Sequence, residues 1–335
     1  MRFGAHLRLL VTGLLLTFAV AFTAPAFAQQ VNPTADSVRE QQFLDALKGN
    51  PSAELQGRIT IPDQKAATLE RPAGREWREF HQGTMLRIAA IAVLGTLLVL
   101  IAFYLIRGRI RTEAGPAGRT ITRFNAFEHF MHWLTAACFI VLALSGLNVT
   151  FGKLVLLPLI GPQAFTNVSV AAKWAHNYLA WPFMAGIALM FVVWIKDNIP
   201  SMLDLRWFAT GGGIIGKGHP AARRFNAGQK IVFWSVVLGG AALSVSGFYL
   251  LFPFYAGGVL NLQFWNVVHG IVSVLMVALI LGHIYIGSIG MEGAFDAMGS
   301  GEVDLNWAKA HHSLWVEEEI EKGQVSGGPK LQPAE

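Results

Sequence analysis

One cysteine, Cys138, stands in 335 residues, and that scarcity excludes several chemistries. No disulfide can close within the chain, and no cysteine-ligated iron–sulfur cluster, Cys-x-x-Cys zinc site or Cys-x-x-Cys-His haem attachment is available. Any redox cofactor must be held by other residues. Charge is scarce as well: 14% of the residues are charged, where a soluble domain has about 25%. Hydrophobic residues make up 53% and the mean hydropathy is +0.45, which excludes an ordinary soluble enzyme and a disordered chain. The apolar residues gather in long charge-free runs, the mark of membrane-spanning helices. The net charge of +5 is therefore read as loop charge that orients a membrane protein, not as a nucleic-acid surface.

Residues 1–28 read as a secretory signal. Arg2 and Arg8 supply a basic start, Leu9 to Phe22 is an apolar run too short for a span, and Ala26-Phe27-Ala28 has the small-x-small pattern cut by signal peptidase. Residues 29–87 form a polar segment with eight basic and eight acidic residues and scattered prolines. It carries no metal or catalytic pattern and is expected outside the cytoplasm. Arg39 to Lys48 is a candidate short helix, and the rest is expected to be extended.

Five apolar runs follow: Ile88–Ile106, Phe130–Val149, Trp174–Ile195, Ile231–Phe252 and Phe264–Ile289. Each is long enough to cross roughly 30 Å of hydrocarbon as a helix. The segments 107–123 and 196–230 carry eleven Lys and Arg residues, Arg206 and Lys217 among them, whereas the expected outer loops 148–173 and 253–263 carry only Lys153 and Lys173. Basic loops stay inside, so the mature N-terminus is expected in the periplasm and the C-terminus in the cytoplasm of a bacterial inner-membrane protein. The signal peptide and the five spans lead to the same orientation.

Inside these spans the ionisable residues are four histidines, His132, His176, His269 and His283, with no acidic or basic partner. An ionisable group in a span is a functional hypothesis by default, and neutral imidazole is a good axial ligand for haem iron. His269 and His283 lie 14 residues apart, within about 40° of one helix face and about 21 Å apart along it. Depth matches His132 with His283 near the cytoplasm and His176 with His269 near the outer surface. Two bis-histidine sites stacked across the bilayer suit electron transfer. His129 is a competing ligand, but it lies about a turn nearer water beside Glu128. Gly270 and Gly282 adjoin two of the histidines, and Gly146, Gly186 and Gly247 lie in other spans. They make room either for a flat macrocycle or for close helix packing. The remaining histidines, His81, His219, His311 and His312, read as solvated or interface residues. Trp133, Trp174 and Trp265 read as interfacial anchors, and Cys138 as core packing.

From Arg119 to Glu321 the chain resembles the gamma subunit of respiratory formate dehydrogenase, the membrane cytochrome b of that complex. The resemblance rests on Arg123-Phe124 followed by His132-Trp133, on Leu144-Ser145-Gly146, on Asp197-Asn198-Ile199-Pro200, on Asn226-Ala227-Gly228-Gln229-Lys230 just before a span, and on the tail Trp307 to His312. It implies an all-α membrane bundle: a four-helix dihaem core over 119–321, with spans near 127–149, 173–195, 231–252 and 264–289. It implies two b-type haems on the same four histidines, and a quinone site (menaquinone or ubiquinone) at Asn226, Gly228 and Gln229 with His283 close by. Amide side chains and a bare glycine backbone can hydrogen-bond a quinone carbonyl, while Asn226 and Gly228 also suit a helix cap. The implied partners are the catalytic (alpha) and iron–sulfur (beta) subunits. Electrons would enter at the outer haem and leave to quinone at the inner one. No formate-oxidising site is legible in this chain. The leader, the exported segment and the extra helix 88–106 stand outside the short form of the family, and 322–335 reads as a flexible tail. The alternatives are the cytochrome b of a membrane hydrogenase and, from a different class, a transporter with a histidine-lined proton path.

Overall fold

A computed structural model describes Lys48 and residues 72–213 and 220–323. The expected signal peptide, residues 39–47 of the candidate helix, Lys217, His219 and the tail beyond 323 lie outside the described residues. The fold is a helical membrane bundle. Four helices are long and apolar enough to cross a membrane, and one of them is long enough to turn back on itself.

Helix α1 (Pro72–Glu79), a π-helical stretch Phe80–Thr84 and α2 (Met85–Arg107) run without interruption, because the residues at both junctions keep helical φ and ψ. Residues 72–87, expected to be extended, are therefore helical. Proline starts helices well at the first position, none follows between Ala73 and Arg107, and the run ends where Gly108 adopts φ 66°. Helix α3 (Ala126–Trp194) holds two expected spans and the stretch between them. Residues 148–173, expected as a loop, are helical except at Gly161, whose φ of 78° and ψ of 167° reverse the chain. The stretch is poor in charge, and the helix runs on through Gly152 and Pro158 as far as Gly161-Pro162. The ring of Pro162 then disfavours a helical residue before it, and glycine alone accepts the positive φ. In the expected loop 196–230, α4 (Met202–Ala209) forms on a Ser201–Asp204 capping box. Helices α5 (Ala227–Leu251) and α6 (Val259–Tyr285) complete the bundle.

Helix α6 packs against α5 on one side and α2 on the other, while α3 packs on α5. Small residues set these approaches. A Cβ on Gly186 would overlap the Thr135 hydroxyl, one on Gly240 would lie 2.7 Å from Ile187 Cδ1, and one on Gly270 would lie 2.5 Å from Met85 Cε. Glycines that let helices close up in this way are typical of membrane packing. Cys138 is buried among Phe139, Phe183, Ile187 and Met276, as expected of a packing residue.

The basic end of the bundle is clasped by two arginines. Arg123 Nη2 donates to the Arg224 carbonyl at 2.5 Å, and Arg224 Nη2 returns a bond to the Arg123 carbonyl at 3.1 Å. Each arginine precedes a phenylalanine, and the Phe124 and Phe225 rings meet at 5.9 Å. Each pair leads into a capping box that starts a helix: Asn125 with Glu128 for α3, and Asn226 with Gln229 for α5. Arg224 also pairs with buried Glu128 at 2.7 Å and with Asp197 at 2.9 Å. Trp194 Nε1 donates to the same Glu128 carboxylate at 2.7 Å. The Arg123 guanidinium lies instead over the Trp307 and Trp315 rings, at 5.7 and 5.1 Å, and cation–π attraction suits this arrangement. Burial, reinforced by the charge of Arg224, lowers its pKa to about 9.

The chain after α6 folds beneath this clasp. Strand β1 (Thr120–Thr122) pairs antiparallel with β2 (Glu302–Asp304), and helices α7 (Asp296–Gly299), α8 (Leu305–His311) and α9 (Ser313–Glu321) surround Arg123. The linker after α2 is stitched to the same segment, by Ile110 N to Gly290 O at 2.9 Å and by Ala117 N to an Asp304 carboxylate oxygen at 2.7 Å. Trp133, expected as an interfacial anchor, donates Nε1 to Met298 O at 2.7 Å. His312, expected as a solvated or interface residue, is 1% exposed, lies 5.5 Å from the Trp307 ring and places Nδ1 2.8 Å from Arg223 O. Trp315 and the Arg123 clasp cover it once the C-terminal helices fold back.

Burial, followed by the nearby Arg123 charge, holds the His312 pKa well below its ordinary value. The fold therefore keeps His312 neutral, while the unfolded chain takes up a proton as pH falls through about 6.5. Its contribution to stability is present above that pH and lost below it, with a slope of up to ~1.4 kcal/mol per pH unit. The melting temperature is expected to fall between pH 7.5 and 5.5, and His312→Asn, whose amide can still donate to Arg223 O, is expected to flatten that fall.

Candidate functional site

The four histidines come together in two pairs. The His132 and His283 rings lie 6.2 Å apart between centres with planes at 64°, and the His176 and His269 rings lie 6.2 Å apart at 62°. Helix α3 supplies one member of each pair from its two antiparallel halves, and α6 supplies both of the others. The pairing expected from depth is the pairing the fold produces. A metal held between two imidazoles, about 2 Å from a nitrogen of each, would place ring centres roughly 6 Å apart, so the spacing of both pairs fits a metal-centred group between them.

Further features fit a macrocycle. Gly146 and Gly282 adjoin Ser145 and His283, and a Cβ added at either would meet nothing within 4 Å. A Cβ on Gly247 would lie 3.3 Å from His269 Cε1, so that glycine makes room for the imidazole. Gly186 and Gly270 do not share this role: they face Thr135 in the other half of α3 and Met85 of α2. The five glycines noted in the sequence thus divide between site and packing. His129 turns away, its Nε2 3.0 Å from the Ala297 carbonyl.

Two serines hold the His176–His269 pair. Ser145 Oγ lies 2.7 Å from His176 Nδ1, and Ser246 Oγ lies 3.0 Å from His269 Nδ1. Neither serine was singled out for this role from the sequence, although a signal was present. The stretch Arg123-Phe124-Asn125-Ala126 recurs as Arg224-Phe225-Asn226-Ala227, and at the same offset Trp133 recurs as Trp234 and Ser145-Gly146 as Ser246-Gly247. The offset is 101 residues. Trp133 and Trp234 even make the same bond, each donating Nε1 to a backbone carbonyl, Met298 O or Asn198 O. The repeat also shows what is not symmetric. Phe233 stands where His132 stands, and it is buried in the main apolar cluster.

The Asn226 loop has a demonstrable local role. Asn226 Oδ1 accepts from Gln229 N at 2.9 Å, and Gln229 Oε1 accepts from Asn226 N at 3.1 Å. Both side-chain oxygens serve the cap, which leaves the amide N–H groups for other partners. A Cβ on Gly228 would lie 3.2 Å from the ring of buried Trp207. Lys230, from the same motif, is tied to Asp204 at 2.9 Å and to Ile199 O at 3.0 Å.

The sequence model of a family described as prokaryotic cytochrome b561 matches residues 123–301. The cytochrome b556(fdo) subunit of formate dehydrogenase from Escherichia coli K12 is 31% identical over 203 residues, covering 59% of this chain and 93% of that protein. The nitrate-inducible cytochrome b556(Fdn) subunit of the same organism is 28% identical over 212 residues, covering 62% and 94%. A formate dehydrogenase cytochrome b556 subunit of Haemophilus influenzae is 28% identical over 209 residues, covering 60% and 84%.

A larger side chain at position 247 pushes into the His269 ring. Gly247→Leu is expected to lower the haem content of the purified protein, measured as pyridine haemochrome, by about half, with the amount inserted in the membrane unchanged. A full haem complement in that variant would show that the ring tolerates displacement.

Proposed function

The chain belongs to the prokaryotic cytochrome b561 family, and on that premise we propose that it is the cytochrome b subunit of a membrane-bound formate dehydrogenase, carrying electrons across the membrane to quinone. The two equal histidine pairs carry this reading. The relatives named above, each a formate dehydrogenase subunit, support the donor: dehydrogenase subunits of one complex, a catalytic alpha and an iron–sulfur beta chain.

Two haems b per chain are proposed, one between His176 and His269 and one between His132 and His283. A haem in such a site supplies one-electron chemistry through its iron. The chain's own part is to present Nε2 of each imidazole at two depths, about 21 Å apart along α6 by helix rise. The absence of acidic or basic side chains in the apolar runs supports this reading over proton-coupled transport, in which such groups mark the path. The Asn226–Lys230 motif supports a formate dehydrogenase subunit over a hydrogenase cytochrome.

Residues 119–321 are proposed as the dihaem domain, with 1–28 as a cleaved signal and 29–87 exported. The extra helix, expected at 88–106, lies within α2, which covers α6. The excess of Lys and Arg at the clasped end supports placing that end in the cytoplasm of a bacterium, with the mature N-terminus in the periplasm. Quinone reduction is proposed beside His132 and His283, with the free amide N–H groups of Asn226 and Gln229 and the Gly228 backbone facing the quinone.

Single alanine substitutions test the ligand set. His132→Ala and His283→Ala are each expected to remove one haem of two, His176→Ala and His269→Ala the other, and no variant to remove both. A folded, membrane-inserted protein without haem would overturn the proposal. The quinone site is tested by Asn226→Asp, which keeps the Oδ acceptor for the Gln229 amide and suits an N-cap, but removes the donor. The KM for quinone is expected to rise about tenfold, as befits a lost hydrogen bond of ~1.4 kcal/mol, with haem content unchanged. An unchanged KM would leave Asn226 with a capping role only.

A further inference from the structure

The two histidine pairs are equal in spacing and unequal in what surrounds them. A serine hydroxyl has one hydrogen to donate. Ser145 Oγ lies 2.8 and 2.9 Å from the carbonyls of Val141 and Leu142, and Ser246 Oγ lies 2.7 and 3.3 Å from those of Ala242 and Leu243. With that hydrogen directed to a carbonyl of its own helix, each Oγ can only accept from the imidazole beside it. Nδ1 of His176 and of His269 then carries the hydrogen, which leaves Nε2 bare to bind iron. Both serines are buried, at 5% and 0% exposure, and both occupy the same position in the 101-residue repeat, so neighbouring helices hold the two rings in the same way.

The inner pair differs at His132. Nδ1 of His132 is buried and has no hydrogen-bond partner among the described residues. An Nδ1–H that donates to an oxygen makes the imidazole a stronger electron donor through Nε2. A stronger donor favours the ferric state over the ferrous state, and hydrogen bonding around the ligands is one of the ways a protein sets a haem potential.

We propose that Ser145 and Ser246 are positioning residues that fix the tautomer of the outer histidines and hold the outer haem at a lower potential than the inner one. Electron flow from the His176–His269 level to the His132–His283 level is then downhill. The inference rests on the proposed reading of the four histidines as haem ligands, and it fails separately from that reading, because haem count tests the ligands and potential tests the serines.

The experiment is a redox titration of the full-length protein in its complex, followed by visible absorbance and by the low-spin ferric haem signals in electron paramagnetic resonance. Wild type is compared with Ser145→Ala, Ser246→Ala and the hydroxyl-preserving Ser145→Thr and Ser246→Thr. A His132→Ala preparation, which retains only the outer haem, assigns the signals. Each alanine variant is expected to shift the outer haem toward the reduced form by about tenfold in equilibrium, ~59 mV for a one-electron couple. The inner haem is expected to stay in place, and the threonine variants to keep the native value. Loss of the outer haem in the alanine variants but not in the threonine variants also supports the proposal, since only the hydroxyl differs in kind. An unmoved outer potential, an equal shift of both haems, or loss of haem in alanine and threonine variants alike would overturn it.

Discussion

The arginine clasp at the basic end governs the rest of the fold. Arg123 and Arg224 each donate to the other's backbone carbonyl, and each immediately precedes an asparagine-capped helix. Two helices that start from one reciprocal bond begin at one depth. Ser145 and Ser246 lie the same number of residues beyond their caps, so they arrive at one level, Ser145 against His176 in the second half of α3 and Ser246 against His269 of α6. Charges this buried are tolerated only when paired or otherwise compensated. Arg224 has Glu128 and Asp197, and Arg123 has two indole faces. The linker after α2, the strand pair and the three short C-terminal helices assemble around that requirement.

The two halves of the clasp differ where function demands it. Gln229 stands where Glu128 stands in the other half, so α5 begins with a neutral amide and α3 with a carboxylate. The carboxylate neutralises Arg224, and the amide serves its own helix cap without adding a charge. One turn deeper, His132 and Phe233 mark the same divergence: one position is a proposed ligand, and its counterpart fills the apolar core. A local repeat thus provides symmetric support at the outer level and a single, asymmetric site at the inner level, where the proposed electron path ends.

Helix packing and cofactor space compete for the same small residues. Glycine next to a histidine means little by itself, since a glycine serves a close helix contact as readily as a flat ligand. The neighbours decide. Met85 of α2 takes the space beside Gly270 and Thr135 that beside Gly186, whereas Gly146 and Gly282 face no atom within contact range. Helix α2 therefore belongs to the wall of the bundle: its Met85 reaches the outer level of α6, and its Phe103 and Tyr104 meet Tyr285 near the inner level.

Much of the architecture is legible in composition and spacing. Long apolar runs with only histidines in them dictate a membrane bundle, because a helix is the way a lone apolar segment satisfies its backbone in lipid. The helix period and rise alone pair His132 with His283 and His176 with His269 by depth. Other features depend on contacts between segments distant in the chain. The helical course of 148–173 carries through Gly152 and Pro158 and breaks only at Gly161-Pro162, which a scan for charge and hydropathy does not register. The burial of His312 and the roles of Glu128 and Trp133 follow from the C-terminal segment folding back beneath the bundle. The serine hydroxyls could be matched to their imidazoles only in three dimensions, since a hydroxyl in a span looks the same in sequence whether it bonds its own helix, a neighbour or, as here, both. Sequence determined which residues could be ligands and at what depth; tertiary structure decided which hydrogen bonds each ligand makes, because those bonds cross between helices whose rotation about their own axes is set by packing.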